Sequence, residues 1–208
     1  MTDAGAGAPP RVAPLPRGRW DESVRAAVRV AFPGEVGERF LSDGADAMAL
    51  PNAIATFLHH PALAGPWLAY NNVLLWDGTL DARLRELVVL RVAWQARSRY
   101  EWAQHVRLAA RFGVGPEDVD AVAHGSHATA EGWSDVERAA VDAAGQLVRE
   151  QRVDDATWAA LAAHLDDRQL VELVFVIGTY ACLAMVFNAS GVELDPGLDL
   201  VDAPMIPD

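Results

Sequence analysis

The sequence predicts an all-α fold, on three observations. Apolar residues recur at three- and four-residue steps through most of the chain. Helix-start signals, among them Ser98-x-x-Glu101 and Ser134-x-x-Glu137, stand directly before such runs. No stretch of useful length alternates apolar and polar residues as a half-buried strand does. A compact multi-helix bundle is the architecture that satisfies all three.

The elements follow in chain order. Residues 1–18 are punctuated by Pro and Gly and carry no period, so they are expected to form a flexible or extended arm. Asp21 is a good N-cap, and Val24, Ala27, Val28 and Ala31 give a short amphipathic helix that stops at Pro33. Residues 34–49 are expected to be loop. A helix over 52–59 buries Ile54, Phe57 and Leu58. After Pro61 another runs through Leu63, Trp67, Leu68, Asn71 and Leu75 to Gly78.

A helix over 81–96 then carries Leu84, Leu87, Val88, Leu90 and Val92. Ser98, as N-cap of a capping box with Glu101, opens the next, which ends near Phe112 and Gly113. Gly115-Pro116 starts a short helix that reaches His124 and Gly125, followed by a polar linker over 127–132. The second capping box opens a helix to about Glu150, with Val136, Ala140, Ala143, Ala144, Leu147 and Val148 inward. Asp154 or Asp155 caps a helix through Trp158, Leu161 and Leu165. The last long helix runs from Asp166 or Asp167 to about Ala189, with Gly191 past its end. Its stretch 170–189 has the length of a membrane span. Glu172, Thr179, Tyr180 and Asn188 within it, together with acidic flanks, favour a central buried helix.

One domain is expected over 19–196, with a tail over 197–208. Leu80-Asp-Ala-Arg83…Glu86-Leu-Val and Leu165-Asp-Asp-Arg168…Glu172-Leu-Val echo each other, which suggests a duplicated helical unit with halves over about 50–125 and 134–192. Counted from Glu172, the positions matching Ser98, Glu101 and His105 hold Ala184, Phe187 and Gly191. The first half would hold the chemistry and the second would supply a wall.

Composition excludes several functions. A formal charge of −12 and a pI near 4.8 argue against nucleic acid or an anionic membrane as partner. The chain has no lysine, which removes Schiff-base chemistry. Cys182 is its single cysteine, so there is no intramolecular disulfide and no Cys-x-x-Cys couple, and an inert core thiol is expected. His59 and His60 are expected at a helix end, and His124 and His127 at the surface. No third ligand joins them in a zinc site, so no metal is expected. The N-terminus lacks the basic-then-apolar pattern of a signal peptide, and a cytoplasmic protein is expected.

Residues 86–105, ELVVLRVAWQARSRYEWAQH, place polar groups at spacings that suggest a site. Glu101 and His105 lie four apart on one helix face, with Trp102 beside them. A carboxylate next to an imidazole orients the ring and forms a proton-transfer pair. Glu86 sits mid-helix among apolar neighbours and needs either a partner such as Arg91 or a site that tolerates it. For Ser98 the cap reading is preferred to a nucleophile, because no activating base is assured. Trp102 and Tyr180 could line a pocket or serve as core. Arg91 could anchor a substrate carboxylate or form an ion pair. Asn188 wants a backbone or ligand partner.

Glu86, Ser98, Glu101 and His105 fall at the spacing of the Glu…Cys-x-x-Cys-x-x-x-His pattern of the alkylhydroperoxidase D-like, carboxymuconolactone decarboxylase family. Ser98 and Glu101 stand where that pattern has its cysteines. The phrase RLRELVVLRVAWQARSRYEWAQHVRLAARFGV resembles a cysteine-free branch, and the resemblance runs from about Arg11 to Pro196. It implies the family's all-α fold, a proton-relay role for Glu86 and a homo-oligomer, trimer or hexamer.

The resulting expectation is a cofactor-independent enzyme in which His105, Glu101 and Glu86 move protons, with Trp102, Tyr180, Arg91 and Asn188 contacting substrate. A small organic acid, lactone or related carbonyl compound would undergo decarboxylation, isomerisation or ring opening or closure. A non-catalytic helical binding or assembly protein is the alternative. Thiol-dependent hydroperoxide reduction is disfavoured by the missing cysteine pair.

Overall fold

The computed structural model describes residues 9–198 and 203–206. The first eight residues of the expected arm and half of the expected tail lie outside the described residues. The described chain is built of helices with no strand: α1 (Glu22–Ala31), α2 (Glu35–Leu41), α3 (Asn52–Phe57), α4 (Pro61–Trp76), α5 (Ala82–Gln95), α6 (Arg99–Ala109), α7 (Pro116–His124), α8 (Asp135–Glu150), α9 (Asp155–Ala162) and α10 (Asp167–Ser190). The all-α class read from the sequence is the class observed. Two compact units divide it. One holds the described residues up to Val73 with Ala189–Asp195, the other Leu74–Asn188 with the described residues from Pro196 onward.

In the first unit Asp21 caps α1 by accepting from Val24 N, and Val24, Ala27 and Val28 pack with Phe40, Leu58, Ala64 and Leu68. The stretch expected to be a flexible arm is pinned here over its described part. Arg11 N and Val12 N both donate to Ser190 O, and Leu15 N donates to Ala55 O. An extended Pro-rich segment cannot satisfy its own N–H groups, so it takes carbonyls from neighbours. The expected loop over 34–49 contains α2. Gly34, at φ 76°, turns the chain into it. Gly37 lets it lie against Phe32, whose carbonyl a Cβ at 37 would strike. Phe40 and Leu41 are then buried, which is what the helix gains.

In the second unit α5 is the central element and packs against α6, α7 and α8. Leu87, Leu90 and Ala93 meet Trp102, Val119, Val122, Trp133 and Val141. Burial on several sides explains why α5 reads as a nearly continuous apolar run instead of a stripe. Arg83 fixes its start by donating to both oxygens of Asp118 at 2.9 Å and to Glu137 at 2.8 Å. The capping box Ser134–Glu137 forms, with Ser134 N donating to Glu137 Oε2 at 2.6 Å.

The other predicted box does not form. α5 ends in a Schellman turn in which Ser98 N donates to Ala93 O and Arg97 N to Trp94 O, with Arg97 left-handed at φ 53°. Ser98 follows as N-cap of α6, yet its side chain makes no cap bond. Ser98 and Glu101 are both buried there.

The linker over 127–132 is likewise not simply polar surface. His127 lies in a short 3₁₀ turn, is buried against Trp133, and bonds Asp142 through Nε2 at 2.9 Å. Arg138 wraps this segment through the carbonyls of Ala128, Ala130 and Trp133. Cys182, expected in the core, is exposed. The reason is that α10 buries one face only: Leu173, Val176, Ile177, Tyr180 and Ala184 point in, while Phe175 and Met185 remain 54% and 69% exposed. Uniformly apolar sequence carries no period from which the outward face could be read.

Glu172 of α10, the echo of Glu86, caps the turn before α5. It accepts from Thr79 N, Thr79 Oγ1 and Leu80 N at 2.6–3.1 Å, and a Cβ on Gly78 would collide with it. Burial alone would raise its pKa, but the Thr79 and Leu80 bonds and nearby Arg168 outweigh burial and lower it. Its contribution to stability is therefore complete above the ordinary glutamate range and lost as pH falls through the depressed value. Glu172→Gln is expected to lower stability by about 1–2 kcal/mol at neutral pH, the carboxylate being partly solvated. Urea midpoints should show this gap closing in acid.

Candidate active site

Four buried polar residues lie along α5, the turn after it and α6. Glu86 is 0% exposed, Ser98 0%, Glu101 1% and His105 8%. α5 delivers Glu86 from a helix whose neighbouring positions are all core, and α6 delivers Glu101 and His105 one turn apart. Glu86 Oε2 accepts from His105 Nδ1 at 2.7 Å. Its other oxygen accepts from Arg85 Nε and Nη2, each at 3.1 Å. Arg85 in turn lies under the Phe112 ring, 5.3 Å from its centroid. Tyr180 of α10 meets the His105 ring edge-on, with centroids 4.9 Å apart at 90°.

The electrostatics of the two carboxyls differ in sign. Burial pushes Glu86 up, but its hydrogen-bonded partners His105 and Arg85 bring it below the usual carboxylate range. Burial also pushes Glu101 up, and there no charge balances it, so its carboxyl sits well above the usual range. The Ser98 hydroxyl opposes the rise, but its approach falls outside hydrogen-bond geometry. Among the described residues neither Glu101 oxygen, nor Ser98 Oγ, has a hydrogen-bond partner. One carboxylate held charged and one carboxyl held neutral are the elements of an acid and a base.

The structure thus gathers His105, Glu86, Glu101 and Tyr180 but pairs them differently from the sequence reading. His105 is partnered by Glu86 across two helices, not by Glu101 one turn before it, because its Nδ1 faces α5. Glu86 is neutralised by adjacent Arg85 and not by Arg91. Arg91 instead donates to Val122 O at 2.8 Å on another side of α5. Trp102 is fully buried, 5.0 Å from Trp94, and donates to Pro204 O at 3.0 Å, so it is core. Asn188 donates to Ala96 O at 2.8 Å and lines a separate groove of about 490 Å³ with Gly178, Ala181 and Met185.

Arg85 is the residue the sequence reading missed. A glutamate in an all-apolar environment requires a cation, and a buried helix can turn adjacent side chains toward each other. Among the described residues no three His, Cys, Asp or Glu side chains converge to hold a metal.

The model of the carboxymuconolactone decarboxylase family matches residues 61–146, which include Glu86, Ser98, Glu101 and His105. An alkylhydroperoxidase AhpD core, an uncharacterized peroxidase-related protein from Ralstonia eutropha JMP134, superposes with a TM-score of 0.70 at 20% identity, over 92% of this chain and 96% of that one. A peroxidase-related protein from Silicibacter sp. TM1040 gives 0.71 at 16% identity, over 94% and 97%. The debrominase Bmp8, in complex with 2,3,4-tribromopyrrole, gives 0.67 at 17% identity, over 89% and 91%. No curated protein is significantly similar in sequence. Residues 61–146 thus match the carboxymuconolactone decarboxylase family, and the described chain has the alkylhydroperoxidase D-like all-α fold.

Proposed function

We propose that the chain is a cofactor-independent enzyme that moves protons on a small organic acid, lactone or related carbonyl compound. The observation that carries this reading is the unpaired, buried Glu101 carboxyl one helical turn before His105, whose Nδ1 is paired with Glu86. With Nδ1 committed to Glu86, His105 keeps Nε2 for a substrate proton and acts as the base. Glu101, neutral through burial, donates a hydrogen bond to the oxygen on which charge develops, as an oxyanion stabiliser must. Decarboxylation, isomerisation and lactone opening or closure all draw on that pair. A small ring suits the reading, since a debrominase of this fold binds 2,3,4-tribromopyrrole. A thiol mechanism has no support here, because Ser98 and Glu101 occupy the cysteine positions and Cys182 is exposed elsewhere.

The reading also takes the chain to assemble as a trimer or hexamer, supported by the uncovered apolar residues of α10. A panel of lactones, keto acids and aromatic acids, scored by thermal shift and turnover, tests the function. His105→Gln is expected to lower turnover by about 100-fold or more, the worth of a general base. Equal turnover in the variant, or no compound that binds the parent, would remove the acid/base site.

A further inference from the structure

We propose that Arg85 is a positioning residue: it supplies the positive charge that Glu86 requires, so that His105 stays neutral and keeps its proton on Nδ1. The assignment deepens the acid/base reading, which gives it its meaning for catalysis. It rests on how the Glu86 carboxylate is shared. Oε1 takes both Arg85 donors at 3.1 Å, and Oε2 is left for His105 Nδ1 at 2.7 Å. The Arg85 side chain is itself 6% exposed and held against Phe112.

In a dry interior, charges persist only in balanced sets. Arg85 and Glu86 already sum to zero, so the imidazole joins them as a neutral donor. Without Arg85 the carboxylate has one partner left, and balance demands that this partner be the cation. Among the described residues, neither Glu101 nor Tyr180 can take that part. Glu101 on the same helix is held uncharged by burial, and Tyr180 from α10 presents a neutral ring. An imidazolium has no lone pair at Nε2 and is no base. Arg85 therefore decides whether the proposed base is usable, without touching substrate.

The experiment needs no substrate: long-range ¹⁵N–¹H NMR of the imidazole groups at about pH 8, above the ordinary histidine range, with His105→Gln to assign the signals. The parent is expected to show the neutral Nδ1–H tautomer. Arg85→Gln is expected to lose that pattern and show a doubly protonated ring, and Arg85→Lys to restore it. A retained Nδ1–H pattern in Arg85→Gln, or a neutral ring with the proton on Nε2, overturns the proposal.

Should Arg85→Gln not fold, the uncharged pair Arg85→Gln with Glu86→Gln serves. His105 must then be neutral with its tautomer preference lost, and an imidazolium there is the contrary result. A failed substrate screen would sink the catalytic reading and leave this assignment standing. An unaltered His105 spectrum would do the reverse.

Discussion

Glu101→Gln is expected to be more stable than the parent above neutral pH, by a margin that grows with pH. The parent buries both oxygens of a carboxyl that has no hydrogen-bond partner among the described residues. Burial therefore raises its pKa well above the ordinary 4.5. The sign follows from proton counting. Above 4.5 the unfolded chain has released this proton and the folded chain still holds it, so stability falls as pH rises toward the folded-state value. The slope for one proton is about 1.4 kcal/mol per pH unit. Glutamine has the same shape and no proton to lose, so its own pH dependence lacks this contribution. Urea unfolding of both proteins between about pH 5 and 8 should give curves that diverge in that direction. Parallel curves would mean that Glu101 is ionised in the fold, and the acid role proposed for it would fall. The same substitution should slow turnover, a stability gained at the expense of function.

Glu86→Ala is expected to do the opposite, lowering stability by about 3–5 kcal/mol, the usual result of removing one partner of a buried pair. Arg85 would be left in the interior with its two bonds to Oε1 gone and only the Phe112 ring beneath it. Removing both charges together, as Arg85→Met with Glu86→Leu, should cost far less, because apolar side chains of similar volume need no counter-charge. Chemical denaturation of the two single variants and the double variant forms a cycle that isolates the coupling. If Glu86→Ala is no less stable than the parent, water reaches Arg85, and the picture of a dry charge-balanced pair is wrong.

The fold was legible in the sequence wherever a helix has one wet side. Asp21, the Ser134–Glu137 box and Gly115-Pro116 all mark real helix starts, and the period of α8 gives Ala140, Ala143 and Ala144 of its buried face, while Val136, Leu147 and Val148 are only partly buried and Val141 is buried unpredicted. Legibility failed where the environment, not the local pattern, decides. Ser98 and Glu101 satisfy the capping-box spacing, yet the Schellman turn at Arg97 fixes the chain before the box can close. α2 lies where Gly34 and Gly37 suggest loop, because those glycines serve a close packing against Phe32 that no local rule contains. The candidate site shows the same division. Glu86 and His105 were identifiable as residue types at a spacing. Their partnership was not, because it joins two helices 19 positions apart in sequence. The search for a cation by helical spacing also led to Arg91, when α5 is buried on so many sides that the neighbouring Arg85 could turn inward.

The exposure of Cys182 bears on how the protein can be studied. It is the only thiol in the chain, it faces solvent on α10, and it lies two positions beyond Tyr180, whose ring touches His105 from the buried side of the same helix. A fluorophore or spin label attached there would ride on the helix that closes the site while leaving its inner face untouched. The native sequence thus carries a single built-in attachment point, from which the surroundings of α10 can be followed optically in the unmutated protein.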